Sequence, residues 1–371
     1  MKPTVLHLAK WYPTKVEPLL GLFVRKHIMA TKNEFDHTVI SIYNTDIYED
    51  DITRIVTDFE GIEEVLYYYK KKGVITKLKV LFRVWKEINS SRHDFIHAHI
   101  ISWTSTLAYL QAILYKTPFF ISEHWSGYHY KLFLKQNSFL KYCKRMSAQN
   151  AKMVFPVSNS LKTDMLASGI KANYKIIGNV VDGKTTELPK NELFTFVFVG
   201  DLEQSHKNVK GIIDAFSQLK NKSTLQLDII GEGVDMGAYI EQTERLNLSN
   251  SIQFHGAKSN NEVFEYLTKS HVLVLNSNYE TFSVICAEAL LSGIPVIATK
   301  CGGPEAFLNE QTGILIDVGN TNQLLAAMKF IINNYNHYSL KDLKGIADQF
   351  NSKQIAKKLQ KAYLTINPSD Y

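Results

Sequence analysis

The sequence predicts an α/β protein made of two doubly wound domains that face each other across a cleft. Three observations carry this expectation: short runs that are apolar nearly throughout, a helical pattern after each run, and a restart of the rhythm halfway along the chain. Runs of that kind suit strands covered on both faces, as in parallel sheets. Their alternation with helical stretches is the signature of βαβ units.

The first strand is expected at Thr4 to Ala9. In MKPTVLHLAKWYPT the apolar run is too short for the core of a secretory leader, and Pro13 follows at once. HTVISIY (37–43), DFIHAHI (94–100), PFFIS (118–122) and MVFPVS (153–158) are the next strands. The polar segment VDGKTTELPKNE (181–192), with Gly183 and Pro189 and no periodicity, reads as the join. An N-terminal domain over 1–182 and a C-terminal domain over 193–351 follow from it. In the latter the strands are FTFVFVG (194–200), LQLDIIG (225–231), SIQFHG (251–256), HVLVLN (271–276) and PVIAT (295–299). NVKGIIDAFSQLK (208–220) and NEVFEYLTKS (261–270) are helical stretches between them. The amphipathic tail helix (352–371) is expected to pack back on the first domain.

The chain has 371 residues, long enough for two cores, with 45% hydrophobic and 21% charged residues, the balance of a soluble globular protein. No segment approaches the roughly 18 consecutive apolar residues of a membrane span. Cys143, Cys286 and Cys301 are an odd number without metal-ligand spacing, which suits a reducing compartment. The net charge of +6 is a mild basic excess; a nucleic acid is not an expected partner.

Ligands of doubly wound sheets sit beyond the carboxyl ends of the strands. After HVLVLN comes SNYET and then SVICAEALLSG, an apolar run with one charge, Glu288. An unpaired carboxylate is almost never fully buried, so Glu288 has a partner: a basic side chain, a backbone amide or a ligand. Glu280 stands before the helix, and the free amides around Phe282, Ser283 and Val284 make a ready phosphate site. Taken alone, the two acids read equally well as a helix-start acid and a buried ion pair. Lys207, in the loop after another strand, is a point charge suited to a phosphate or a solvated lysine. IIGEGVDMG lacks the dinucleotide spacing and reads as a tight turn, which counts against an oxidoreductase. TKCGGPEAFL is a loop where a ligand can approach the backbone. Glu123 and His124 follow PFFIS, where a histidine is a candidate acid/base group or a satisfied surface residue. His97 and His99 alternate on one strand face, at least one of them structural, and no third ligand stands at a spacing that suggests zinc.

Together these segments resemble the family-4 retaining glycosyltransferases (glycosyl transferases group 1) of the GT-B fold, with two Rossmann-like domains. NYETFSVICAEALLSGIPVIATKCGGPEAF is similar to that family's two-glutamate motif, HKN (206–208) to its phosphate-binding lysine loop, and IIGEG to its second glycine turn. IGNVVD (177–182) resembles its linker entry, YPTKVEPLLGLFVRKH (12–27) its N-terminal donor-facing loop with Gly21, and EHW its active-site histidine segment. The resemblance implies a nucleotide-sugar donor, UDP- or GDP-linked, with its ribose on Glu288. It places the diphosphate on Lys207 and the amides of Phe282, Ser283 and Val284. Glu280 and His124 would then meet the transferred sugar, the acceptor being a glycan or lipid-linked sugar of the cell envelope.

The chain departs from the family at Asp201, where a basic residue is common, so that Asp201 must point away or His206 and Lys207 must compensate. It departs also at Thr281 and Ser283, where glycines are common, and at Gly178 and Val180 of the linker entry. A GT-B nucleotide-sugar epimerase would need acid/base carboxylates in the N-terminal half. A non-catalytic nucleotide-sugar binder would show a damaged site. No Asp-x-Asp pair ends a strand, so no metal or other cofactor is expected. Two basic, apolar segments, 67–88 and 131–146, suggest docking on an anionic membrane surface, which places the protein in the cytoplasm at the inner face of the membrane. In the first, Val74, Leu78, Leu81, Trp85 and Ile88 recur at helical spacing. The competing reading packs the apolar stripes on the sheet and leaves the lysines solvated.

Overall fold

Strands form where β-branched and aromatic residues run together, and helices where apolar residues recur every three or four positions. The computed structural model describes residues 2–183 and 188–365. Part of the join (184–187) and the end of the tail (366–371) lie outside the described residues. The chain divides into two units, Met1–Val180 with Ser352–Tyr371, and Val181–Asn351.

The first unit runs β1 (Thr4–Ala9), α1 (Leu22–Ala30), β2 (Asp36–Asn44), β3 (Ile52–Phe59), β4 (Ile62–Tyr69), α2 (Val74–Ile88) and β5 (Phe95–His99). It continues through α3 (Trp103–Tyr115), β6 (Phe119–Glu123), α4 (Ser138–Asn150), β7 (Met153–Pro156) and α5 (Asn159–Ala167). Its seven strands are ordered β3-β4-β2-β1-β5-β6-β7. All pairings are parallel except β3 with β4. That hairpin, absent from the strands anticipated above, turns on Glu60 and Gly61, both with positive φ (52° and 86°). Positive φ at both turn residues matches the right-handed twist of the flanking strands.

The second unit runs β8 (Phe194–Val199), α6 (Gln204–Lys207), α7 (Val209–Ser217), β9 (Leu225–Ile230), α8 (Met236–Arg245), β10 (Ile252–Phe254) and α9 (Asn260–Lys269). Then come β11 (Val272–Leu275), α10 (Val284–Leu291), β12 (Val296–Thr299), β13 (Gly313–Ile316), α11 (Thr321–Asn334) and α12 (Leu340–Ala347). Its all-parallel sheet is ordered β10-β9-β8-β11-β12-β13. Its core is aliphatic and aromatic, with Phe196, Phe198, Phe216 and Ile297 fully enclosed. The last helix, α13 (Ser352–Tyr363), belongs to the first unit and packs against α1.

Caps punctuate the helices: Ser102, Asn137, Ser158, Asn320 and Ser339 accept from first-turn amides, and Ser259 forms a reciprocal capping box with Glu262. Gly21 opens α1 at φ 67°, and a Cβ there would stand 2.3 Å from the Trp11 carbonyl oxygen. The fold of the first unit alone therefore demands glycine at this position.

Candidate functional site

Two hydrogen bonds to backbone carbonyls build the site of the second unit. The Asn278 amide donates to the His206 carbonyl (2.8 Å), and Asn276 Nδ2 donates to the Asn208 carbonyl (3.0 Å). They hold the loop after β11 against the turn after α6. Lys207 Nζ thereby reaches Glu280 Oε1 at 2.6 Å, where Ser277 Oγ also donates (2.8 Å). The Glu280 amide bonds the Cys301 carbonyl (3.0 Å), so the glycine loop after β12 supports it from behind. Burial alone would lower the Lys207 pKa, but the Glu280 carboxylate beside it wins and the ammonium is held above its ordinary value.

Lys207, Glu280, Ser283, Val284 and the buried Glu288 line one cavity of about 310 Å³ with Gly200 and Asp201. Five of the residues singled out in the sequence thus stand together. Phe282 differs: its ring is buried against Phe307 and Phe350 (centroids 5.4 and 5.1 Å), so only its backbone is available to a ligand. Asp201 lines the cavity instead of pointing away, and its charge acts on Lys207, so Lys207 is the compensating group. His206 pairs with Glu203 (3.1 Å). Ser283 caps α10 at φ 66°, a left-handed conformation that glycine adopts more easily, and its hydroxyl donates to Cys286 Sγ (3.2 Å). The first amides of α10, carrying the positive end of its dipole, open beside Lys207.

In the first unit, Glu123 ends β6 with no exposed surface and accepts four hydrogen bonds. Oε1 takes the amides of His124 (2.8 Å) and Trp125 (2.9 Å); Oε2 takes the Ile101 amide (2.9 Å) and the Tyr128 hydroxyl (3.1 Å). It fixes the backbone of the EHW segment and of the strained turn at Ile100, a β-branched residue at φ 72°. His124 is buried with its ring on Phe23 (4.2 Å); neither of its nitrogens makes a well-aligned hydrogen bond, although the Asn179 side chain stands near enough to act on it. Burial, then the neighbouring His27 and His99, hold its pKa well below the usual imidazole value, so the ring is neutral. A neutral imidazole has one donor and one acceptor nitrogen, which suits a ligand hydroxyl.

His124 belongs to a larger set. His7, His27, His37, His97 and His99 are buried as well. Strand pairing puts His7 beside His97 and leaves His99 two positions further along the same face. A third imidazole therefore does stand near His97 and His99: ligand atoms of the three lie within 4.8 Å of one another. Spacing along the sequence could not show it, because His7 arrives from another strand.

Hydrogen bonds already engage this trio. His99 Nε2 and His7 Nδ1 are 3.0 Å apart, His7 Nε2 and His37 Nδ1 2.9 Å, and His37 Nε2 meets Thr31 Oγ1 at 3.2 Å. Thr31 donates to the Ile28 carbonyl (3.1 Å), so it accepts from His37, and the protons run from His99 through His7 to His37. The opposite direction would leave a buried N–H at His99 Nδ1, which has no partner; an orphaned lone pair is the cheaper choice. His97 bonds Tyr363 (2.6 Å) and Ser122 (2.9 Å).

Two Rossmann-like α/β units with mainly parallel sheets, the second holding a lysine–glutamate pair before α10 and a buried glutamate within it, define the GT-B architecture. A family profile described as Glycosyl transferases group 1 matches residues 159–344, and one described as Glycosyltransferase Family 4 matches residues 34–184. The chain belongs to the glycosyl transferases group 1 family. It is 26% identical over 168 residues to N-acetyl-alpha-D-glucosaminyl L-malate synthase of Bacillus anthracis, covering 44% of each chain. It is 25% identical over 218 residues to the lipopolysaccharide 1,6-galactosyltransferase of Escherichia coli K12, covering 56% of this chain and 60% of that protein. These matches thus span about half the length of the two relatives. The Alr3699/HepE structure from Anabaena, in complex with UDP, superposes with a TM-score of 0.75 at 17% identity, covering 99% of this chain and all of that one (100%).

Proposed function

We propose that the protein is a retaining glycosyltransferase that moves a sugar from a UDP- or GDP-linked donor to a glycan or lipid-linked acceptor in cell-envelope polysaccharide synthesis. The observation that carries this reading is the Lys207–Glu280 pair at the start of α10, in one cavity with buried Glu288. Glu288 accepts from the ribose hydroxyls. Lys207 and the amides of Ser283 and Val284 hold the diphosphate, with Glu280 and His124 on the transferred sugar and Gly21 on the donor. Charge grows on the leaving diphosphate as the sugar becomes oxocarbenium-like, and fixed dipoles there stabilise the transition state selectively. The leaving phosphate takes the acceptor proton on the same face, so neither glutamate is a nucleophile. Relatives named as sugar transferases support the reaction class, and the UDP complex of the Anabaena protein supports the donor class.

The ammonium and helix amides balance the diphosphate without a divalent metal. We place the protein at the inner face of a membrane, in a reducing compartment; no described helix is long and apolar enough to cross one. The expected apolar stripe of α2 splits: Ile88 is buried, whereas Val74 and Leu78 are exposed together with Ile75 and Phe82. That exposed face, among lysines, supports the membrane reading. Purified protein screened against a panel of nucleotide-sugars tests the function. Slow donor hydrolysis with one sugar nucleotide, without a chelator effect, is the expected result; thermal stabilisation by none of them refutes it.

A further inference from the structure

Lysine is almost never buried without a partner, yet Lys144 on α4 is 7% exposed and bonds only a neutral group, Gln136 Oε1, at 2.9 Å. The expectation that the lysines of segment 131–146 are merely solvated fails at this residue. Its Nζ lies over the Trp125 ring, 5.6 Å from the centroid, and Lys10 Nζ lies over the same ring at 5.9 Å. Trp125 follows β6 and Lys10 follows β1, so both reach the carboxyl end of the sheet, where ligands of such sheets bind. Among the described residues neither lysine is ion-paired, nor is Lys77 of α2.

The three cations repel. Burial first, then Lys10, lowers the Lys144 pKa to about 8, and burial followed by Lys77 lowers that of Lys10. The counter-charge that acts on both is Glu123, whose oxygens are already occupied by four donors. A ring quadrupole shared by two ammoniums at nearly 6 Å is a weak counterweight. An anion would satisfy all of these groups at once. On α2, Lys77 is flanked by exposed Val74 and Leu78, so an apolar surface adjoins the cations.

We propose that Lys10 and Lys144, set about Trp125, form with Lys77 of α2 an anion site that receives the phosphate or diphosphate of the sugar acceptor. This rests on the glycosyltransferase reading and specifies its acceptor: a phosphate ester, with Trp125 as the platform for the group next to the phosphate.

Inorganic pyrophosphate is the probe, titrated calorimetrically into the full chain carrying Lys207→Ala, which silences the diphosphate site of the second unit. One equivalent is expected to bind, with about a tenfold loss on adding Lys144→Met or Lys10→Met and recovery with Lys144→Arg. The exposed Lys77→Ala, which cannot disturb the core, should weaken binding about threefold. Unchanged affinity in a folded Lys10→Met/Lys144→Met chain overturns the proposal. UDP and GDP titrated into the wild-type chain test the donor reading separately: pyrophosphate bound at Lys144 but neither nucleotide bound keeps the anion site and removes the acceptor assignment. Geranyl diphosphate distinguishes the sources. Tighter binding than pyrophosphate, lost in Leu78→Ser, assigns a lipid headgroup, and equal binding assigns a soluble ester.

Discussion

The two units share an architecture and differ in what fills it. The first buries six histidines, of which His7, His37, His97 and His99 bond one another or Thr31, Ser122 and Tyr363, while His27 bonds the Gly178 carbonyl. In the second, the corresponding layers are phenylalanine and aliphatic side chains. Its polar groups of note gather at the cavity around Lys207. A parallel sheet needs cover on both faces, but the cover need not be apolar if most of its polar groups find partners. The contrast assigns different duties: His124 apart, interior polarity is structural in the first unit and chemical in the second.

The largest expected effect tests the chemical half. Glu280→Gln should lower kcat by about 100- to 1000-fold with little change in melting temperature. Glu288→Ala should instead weaken nucleoside diphosphate binding about tenfold, at a cost of about 1–2 kcal/mol. Calorimetry and steady-state rates separate the two. Unchanged nucleotide affinity in Glu288→Ala removes the ribose assignment.

Acid tests the structural half. The buried histidines of the first unit are neutral when folded, with burial holding His27 and His37 down to about 4. As pH falls below the ordinary 6.5, the unfolded chain takes up protons that the folded unit refuses. Stability is therefore complete above about pH 6.5 and declines from there toward pH 4, by on the order of 3 kcal/mol for each of those two histidines. Among the described residues the second unit has one such group, the part-buried His271, also lowered by burial to about 4. Hydrogen exchange followed against pH should show β1, β2 and β5 losing protection before β8, β9 and β11. Loss at the same pH in both units would break the comparison.

His7→Leu sharpens it. The substitution leaves His99 Nε2 and His37 Nδ1 unpaired, and chemical denaturation should register a loss of about 2–3 kcal/mol. The smallest effect belongs to Ser283→Gly, which relieves a left-handed backbone and should raise the stability of the second unit by up to about 1 kcal/mol. A loss of stability there would mean that the Ser283–Cys286 contact outweighs the strain.

Legibility followed locality. The second unit's site lies within loops that follow apolar strands, so Lys207, Glu280, Ser283 and Glu288 stood out at short range. The hairpin at Glu60–Gly61 was hidden because its strands merge with the basic run before α2, and glutamate is not the usual first residue of such a turn. The histidine layer was illegible for a stronger reason: His7 and His99 are 92 positions apart, and only strand pairing brings them together. The burial of Lys144 was hidden likewise, since a basic, mixed segment looks solvated until a tryptophan from the loop after β6 covers it.

The return of α13 has a consequence for synthesis. His97 is 266 positions from Tyr363, the residue whose hydroxyl completes its hydrogen bonding, and the Tyr363 ring packs on Phe95 (4.7 Å) and Phe120 (5.1 Å). A chain leaving the ribosome can finish its second unit at Asn351, but its first unit stays open on the α13 side until the last helix emerges. The unit that begins before the other is therefore closed after it, and a nascent chain must keep an uncapped sheet soluble while the whole second unit is made.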